Sequence, residues 1–185
     1  QHDPVADRLA LEELAQWCEQ FSAFVGLEES EPESLLLDIS GLHFIFPDEP
    51  ALAHEITQAF CERGYVPRVG IADTVGAAWA AAHFGKPPGN RKGNLAPEKI
   101  MIIPPQQEHV LDELPIAALR LDLATIERLQ QLGIFQVTSL RCLPRESLPA
   151  RFGEQLLKRL DQALGTVAEI IRPNLDHTFV GVLVD

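Results

Sequence analysis

Two short segments of this sequence carry the side chains that could handle a nucleotide. Residues 31–40 read EPESLLLDIS, and residues 70–89 read GIADTVGAAWAAAHFGKPPG. Magnesium-dependent phosphoryl transfer needs neighbouring carboxylates, because Mg²⁺ prefers hard oxygen ligands in tight geometry. The first segment offers one carboxylate, Glu33, beside Ser34, and the second has no lysine or arginine before Lys86. The start and end of the second segment look like a nucleotide-handling segment, but its middle lacks the charges that such a segment needs.

Other kinds of site chemistry have little support. The sequence has no P-loop, no G-x-G-x-x-G and no set of nucleophile, base and orienting group. His43, His54 and His83 lack partners at ligand spacing, so no metal site is predicted. The cysteines are far apart, form no C-x-x-C pair and lie in apolar helical patterns; they are Cys18, Cys61 and Cys142. We expect them to be buried, inert thiols in a reducing cytoplasm.

Charge is distributed unevenly along the 185 residues, whose net charge is -12. Residues 1–50 hold twelve acidic residues and one basic residue, whereas residues 120–159 hold seven basic and four acidic residues. A nucleic acid would be repelled by the first region and weakly attracted by the second. No apolar run approaches the roughly 20 residues that span a bilayer, so a membrane partner is not expected. Because the chain begins with Gln1 and has no signal-peptide pattern, we interpret it as part of a longer cytoplasmic protein.

The first 105 residues alternate helices and strands. Asp3 and Pro4 predict the start of a helix over 5–20, and Asp48 and Pro50 predict a second helix that ends at Gly64. The other segments are strands at 23–29 and 34–40 that form a hairpin, a strand at 65–73, a helix at 74–85, a loop at 86–94 and a strand at 99–105. This order favours an α+β layer with SLLLDIS and YVPRVGIAD side by side in one sheet and helices on one face.

After Pro115 the pattern becomes one of short helices separated by glycine and proline. Asp122 is expected to cap a helix that Gly133 stops, and further helices follow to about residue 165. We therefore predict two structural domains and a tail: residues 1–110, residues 111–170, and residues 171–185 as a linker or the start of a following domain.

These segments together resemble the Y-family (DinB-like) DNA polymerases, specifically their ImuB-like, catalytically degenerate branch. Gly70-Ile71-Ala72 and Lys86-Pro87-Pro88-Gly89 match both ends of a family helix motif without a gap, and residues 31–40 match the palm hairpin in register. The resemblance covers a partial ferredoxin-like palm at about 5–105 and a helical thumb at about 110–165. It implies helix–hairpin–helix-like helices in the thumb.

The sequence departs from the family pattern at the positions that bind metal ions and the triphosphate. The hairpin carboxylate pair of the family is Glu33-Ser34 here, the first-strand aspartate is not in this chain, and the triphosphate lysines align with Val75 and Trp79. We interpret Glu33 as a solvated turn residue, Asp38 as a cap or hydrogen-bond acceptor, and Trp79 as a packing residue. No catalytic residue, metal or cofactor is predicted, and Mg²⁺ is expected only if the chain belongs to an active polymerase.

The thumb departs from the pattern too. The family hairpin P-G-V-G offers backbone N–H groups to a DNA phosphate, whereas this chain has Leu119-Arg120-Leu121-Asp122, with no glycine. Basic side chains are the remaining DNA-binding candidates, and those in the thumb other than Arg120 are expected to face solvent. The candidates are Arg120, Arg141, Arg145, Arg151, Lys158, Arg159 and, in the palm loop, Lys86.

The resemblance implies a non-catalytic adaptor in SOS-induced bacterial translesion synthesis. Such a protein binds DNA weakly and bridges a sliding clamp, a RecA-like protein and a DnaE-type polymerase. Two other functions stay open: an active Y-family nucleotidyltransferase fragment that lacks its first palm strand, and an unrelated helical binding module fused to an α+β domain.

Overall fold

In the described residues, helices and short strands alternate up to Ile102, and helices follow from His109 to Ala163. The computed structural model describes residues 3–28, 33–85, 100–105 and 109–172. The helices are α1 (Pro4–Cys18), α2 (Glu49–Glu62), α3 (Val75–Phe84), α4 (His109–Asp112), α5 (Leu123–Gln131), α6 (Val137–Arg141), α7 (Leu148–Phe152) and α8 (Glu154–Ala163). The strands are β1 (Val25–Leu27), β2 (Leu35–Leu37), β3 (Val69–Ile71) and β4 (Ile100–Ile102), and 3₁₀ helices lie at Leu42–Phe44, Ile116–Leu119 and Arg145–Ser147. The α+β class is confirmed.

The chain divides into two compact units, residues 1–44 with 170–185 and residues 45–169. These units do not follow the predicted domains, because the second unit holds α2 and α3 together with all the helices after Pro115. The boundaries at 110 and 170 therefore stay a prediction from the resemblance. The tail at 173–185 and the loop at 86–99 lie outside the described residues.

In the first unit, α1 packs near an antiparallel hairpin. Asp3 caps α1 by accepting hydrogen bonds from the N–H groups of Val5 and Ala6, as the sequence predicts. Strands β1 and β2 pair with Gly26 opposite Leu36. The buried hydroxyl of Ser22 ties the end of this hairpin, because it donates to the carbonyl of Asp38 at 2.5 Å.

The strands do not form one sheet, and this corrects a prediction. Strand β2 pairs with β1, and β3 pairs in parallel with β4, so the described strands form two two-stranded sheets. SLLLDIS and YVPRVGIAD are therefore not paired. Strand β3 is short because Tyr65 still donates to Phe60 at the end of α2 and because Pro67 has no N–H to donate.

Helix α3 is held closely on both sides in the second unit. A Cβ on Gly70 of β3 would lie 2.1 Å from the carbonyl oxygen of Ala78, and a Cβ on Gly76 would lie 2.9 Å from the Cα of Ala163 in α8. Thr74 caps α3 by accepting from the N–H of Ala77, and its hydroxyl lies 3.0 Å from the carbonyl oxygen of Ala163. These contacts fix the helix that carries the family's triphosphate positions.

A single hydrophobic core joins α3 to the helices that follow Pro115. Its fully buried members include Ile116, Leu129, Leu140 and Leu156. Of the three cysteines, Cys18 is buried, but Cys61 and Cys142 are exposed. The prediction of three buried thiols is wrong for these two, because Cys61 lies on an exposed part of the last turn of α2 and Cys142 is the exposed C-cap of α6.

Candidate nucleic-acid interface

At the hairpin, Glu33 directly precedes the half-buried Ser34 and strand β2. Glu33 is exposed, and its backbone N–H donates to a carboxylate oxygen of Glu28 at 3.2 Å. Ser34 beside it is half-buried. Residues 29–32, which include the predicted tip, lie outside the described residues. Within the described part of the chain, no group of three or more His, Cys, Asp or Glu side chains is arranged to hold a metal ion.

Asp38 accepts hydrogen bonds, as the sequence predicts. Its carboxylate accepts from the backbone N–H of Ser40 at 2.8 Å. Hydrogen bonds from the Ser40 hydroxyl and from this N–H hold the pKa of Asp38 below its usual value, because they favour the charged carboxylate. Asp38 therefore closes the turn after β2.

On α3, the two positions where the family carries lysines hold apolar side chains that contact other residues. Val75 begins the helix and is half-buried. The indole of Trp79 stacks on the ring of His83, with 3.9 Å between centroids and 16° between planes, and lies 6.0 Å from Phe84. Its Nε1 is buried and has no hydrogen-bond partner within the part of the chain that the structure describes. This arrangement packs the helix surface and offers no cation to a phosphate.

The thumb hairpin has an unusual backbone at Arg120. Arg120 has φ 53° and ψ 43°, and it is the one described residue other than glycine with a positive φ. Only glycine visits this left-handed region without steric cost, so the chain adopts a glycine-like turn with an arginine. Two residues later, Asp122 caps α5 by accepting from the N–H and the hydroxyl of Thr125, both at 2.8 Å.

Arg120 and Arg159 share one carboxylate. Two guanidinium nitrogens of Arg120 donate to the two oxygens of Glu169, and one of these bonds spans 2.9 Å. Arg159 donates to the same Glu169 at 3.1 Å. The side chains of Arg120 and Arg159 are 10% and 18% exposed, so the prediction that Arg159 faces solvent is wrong. This contact could not be predicted from the sequence, because Glu169 lies 49 residues beyond Arg120.

Two further candidates also pair with carboxylates. Arg141 donates to Asp112 at 2.5 Å, and Arg145 donates to both oxygens of Asp161. The arginines of these pairs are 39% and 55% exposed. Exposed pairs of this kind are weak and screened by salt, so a phosphate could replace either acid.

In the helices after Pro115, two arginines that form no ion pair with a carboxylate in the described residues lie over the ring of Phe152. The guanidinium carbons of Arg128 and Arg151 each lie 5.6 Å from the centroid of this ring, and Arg128 also donates to the carbonyl of Arg151. Lys158 is exposed on α8. Sequence reasoning missed Arg128, although it lies in the positive window at 120–159. Lys86 lies outside the described residues.

We call Arg128, Arg151 and Lys158 the free basic set. All three are exposed, and the two arginines share a ring that holds their stems in place. Exposed cations held in this way can meet the phosphates of a nucleic acid without first losing a carboxylate partner. The geometry thus separates the free basic set from the four paired arginines.

Similar proteins agree with the fold. No protein-family profile matches the chain. The chain is 39% identical over 170 residues to Protein ImuB of Caulobacter vibrioides, which is 92% of this chain and 34% of that protein. It therefore spans about a third of the length of the curated relatives it matches.

Solved structures match at lower identity. DinB from Sulfolobus solfataricus superposes with a TM-score of 0.64 at 19% identity, covering 87% of this chain and 45% of DinB. The insertion ternary complex of Dbh DNA polymerase gives a TM-score of 0.63 at 19% identity, covering 88% and 45%. Among the described residues, no helix is both long and apolar enough to cross a membrane. The chain is thus similar in sequence to ImuB, and its fold is similar to that of the DinB and Dbh DNA polymerases.

Proposed function

We propose that this chain is part of a non-catalytic, polymerase-like protein that acts in bacterial DNA damage tolerance. The observation that carries the proposal is the environment of Trp79: where the family places a triphosphate lysine, an indole stacks on His83 of its own helix. An aromatic ring cannot neutralise a triphosphate, and Ser34 beside Glu33 leaves the hairpin one carboxylate short of a two-metal site.

The protein would hold DNA weakly through the free basic set. Arg128, Arg151 and Lys158 are exposed and form no ion pair with a carboxylate in the described residues, so binding a phosphate there breaks none. The acidic first 50 residues oppose binding, which limits its strength. Such contacts would carry no sequence information, because they reach the phosphate backbone and not the bases.

The adaptor role rests on the similarity to ImuB. By this proposal the full-length protein works in the cytoplasm during the SOS response and bridges a sliding clamp, a RecA-like protein and a DnaE-type polymerase. Weak DNA contacts suit such a role, because partners that are held together raise the effective concentration of the thumb at a primer end.

The DNA surface is tested by fluorescence anisotropy of labelled primer–template DNA with the full-length protein. Two to three phosphate contacts predict a slope of log K against log salt of about -2 to -3. Replacing Arg128 and Arg151 with glutamate should remove most of this binding. The matched control reverses Arg141, which pairs with Asp112, and should weaken binding much less. Equal losses in both variants would contradict the assignment.

A further inference from the structure

The cluster of Arg120, Arg159 and Glu169 carries more positive charge than it neutralises. Two guanidinium groups face one carboxylate, and all three side chains are at most 18% exposed. Arg159 also donates to the side-chain oxygen of Gln162 at 3.3 Å, while its buried Nε has no hydrogen-bond partner among the described residues. A cluster of this kind has one unit of positive charge in excess, which attracts a further anionic oxygen.

The geometry of the cluster suits a phosphate as well as a carboxylate. Arg120 presents two nitrogens to the two oxygens of Glu169 in a bidentate contact. Guanidinium groups bind carboxylates and phosphates in this same fork geometry. Glu169 thus occupies the position that one phosphate group would fill.

The backbone conformation of Arg120 indicates that contacts of this residue hold it in a strained geometry. The left-handed backbone conformation is unfavourable for arginine. A residue keeps such a strained conformation only where the surrounding contacts hold it there. Here the contact that holds the side chain is the one to Glu169.

The segment that holds Glu169 belongs to no helix or strand. It follows α8 in irregular structure, and its neighbours Val167 and Ala168 are exposed. The N–H groups of Thr166 and Val167 bind the carbonyl of Asp161, after which the side chain of Glu169 makes the next described contact. The carboxylate could therefore leave without unfolding a helix.

From these observations we propose that Arg120 and Arg159 form a phosphate-binding site that Glu169 fills as an internal anion, so that it masks the site from the DNA backbone. The inference rests on the proposed DNA function and deepens it. In the masked state, DNA contacts the free basic set. Release of Glu169 adds up to two phosphate contacts.

The test is a double-mutant cycle on the full-length protein, read by anisotropy of labelled primer–template DNA. Glu169→Gln should raise affinity roughly fivefold to tenfold and steepen the salt slope by about 0.9 to 1.8, since one or two phosphates are added. Arg120→Gln should change affinity less than about twofold alone but should remove the gain in the Glu169→Gln background.

Two further variants separate masking from net charge and from misfolding. Glu169→Asp keeps the charge but shortens the side chain. Masking therefore predicts that this variant shows part of the gain in DNA affinity at unchanged net charge. This variant decides between masking and net charge if Glu169→Gln fails to fold. Glu146→Gln removes an exposed charge elsewhere in the thumb and should give little gain.

The outcomes distinguish the inference from the proposed function. A gain for both Glu169 variants that depends on Arg120 supports masking. Masking alone would be overturned if both Glu169 substitutions left DNA affinity unchanged while the Arg128→Glu and Arg151→Glu variant lost wild-type binding. Equal gains in affinity from Glu146→Gln and Glu169→Gln would also overturn masking alone. No binding by any variant would overturn the DNA function, and masking with it.

Discussion

Arg120 combines two properties that a residue rarely has together. Its backbone is left-handed, which glycine adopts freely and arginine does not, and its side chain belongs to a nearly buried ion cluster around Glu169. The sequence shows that the hairpin lacks a glycine, but it cannot show that Arg120 takes the glycine conformation. The backbone N–H of Arg120 donates to Ala117 at the end of the 3₁₀ helix, and the side chain binds Glu169, which is remote in sequence.

The strain at Arg120 can be measured apart from its ion pair. Arg120→Gly and Arg120→Ala both remove the guanidinium, but only alanine keeps a Cβ in the left-handed region. We therefore expect the alanine variant to be less stable by about 1 kcal/mol. Urea unfolding followed by circular dichroism gives this difference, and an alanine variant as stable as the glycine variant would show that the turn is unstrained.

Asp122 supplies a pH-dependent part of the stability. Hydrogen bonds from the backbone N–H and the hydroxyl of Thr125 lower the pKa of Asp122, so the folded state favours the charged carboxylate. This contribution is complete above the unfolded pKa of about 3.9 and is lost as pH falls through the lower folded value. Asp122→Ala should cost about 1 kcal/mol at pH 7 because it removes a helix cap.

The control is Asp122→Asn, which keeps a capping oxygen and cannot titrate. The stability difference between the wild type and Asp122→Ala should shrink below about pH 3.9, whereas the difference between Asp122→Asn and Asp122→Ala should stay constant. If the two stability differences changed in the same way below about pH 3.9, Asp122 would not be the source of the pH dependence.

At the scale of elements, helix starts could be predicted and strand partners could not. Asp3, Asp48 and Asp122 cap helices because the signal is local: a short polar side chain accepts from an N–H two or three residues later. Strand pairing depends on segments far apart in the chain, and the described strands have only three residues each, so alternation in the sequence did not fix their partners.

The placement of α3 depends on glycines at two close contacts. A Cβ at position 76 would lie 2.9 and 3.0 Å from the Cα and the backbone N of Ala163. Helix propensity alone favours alanine by up to about 1 kcal/mol, but this contact predicts that Gly76→Ala destabilises by about 1–3 kcal/mol. Gly70→Ala should cost more, since its Cβ would meet the carbonyl of Ala78 at 2.1 Å. Chemical denaturation measures both, and a Gly76→Ala variant more stable than wild type would contradict this packing.

At the scale of the whole molecule, the structure changes the meaning of the charge pattern. Residues 120–159 hold seven basic and four acidic residues, which suggests a DNA surface. The acids that pair with these arginines lie just outside that window, at Asp112, Asp161 and Glu169. Residues 112–169 contain eight acidic and seven basic residues. A sequence window therefore overstates the positive charge that DNA would meet.

The family positions, by contrast, could be identified from sequence, because they follow a motif in fixed register. Ser34, Val75 and Trp79 stand at the aligned positions whatever the surrounding fold does. Their environments needed the structure: the stacking of Trp79 on His83 depends on the helical spacing of four residues and on the close packing of α3.

The proposal that the protein is non-catalytic is tested most directly by primer extension with the full-length protein, Mg²⁺ and deoxynucleotides. An active DinB polymerase runs beside it as the positive control. We expect no extension that depends on Glu33, because one hairpin carboxylate cannot hold two magnesium ions and Trp79 cannot neutralise a triphosphate. Primer extension by the wild-type protein that Glu33→Ala abolishes would contradict the account.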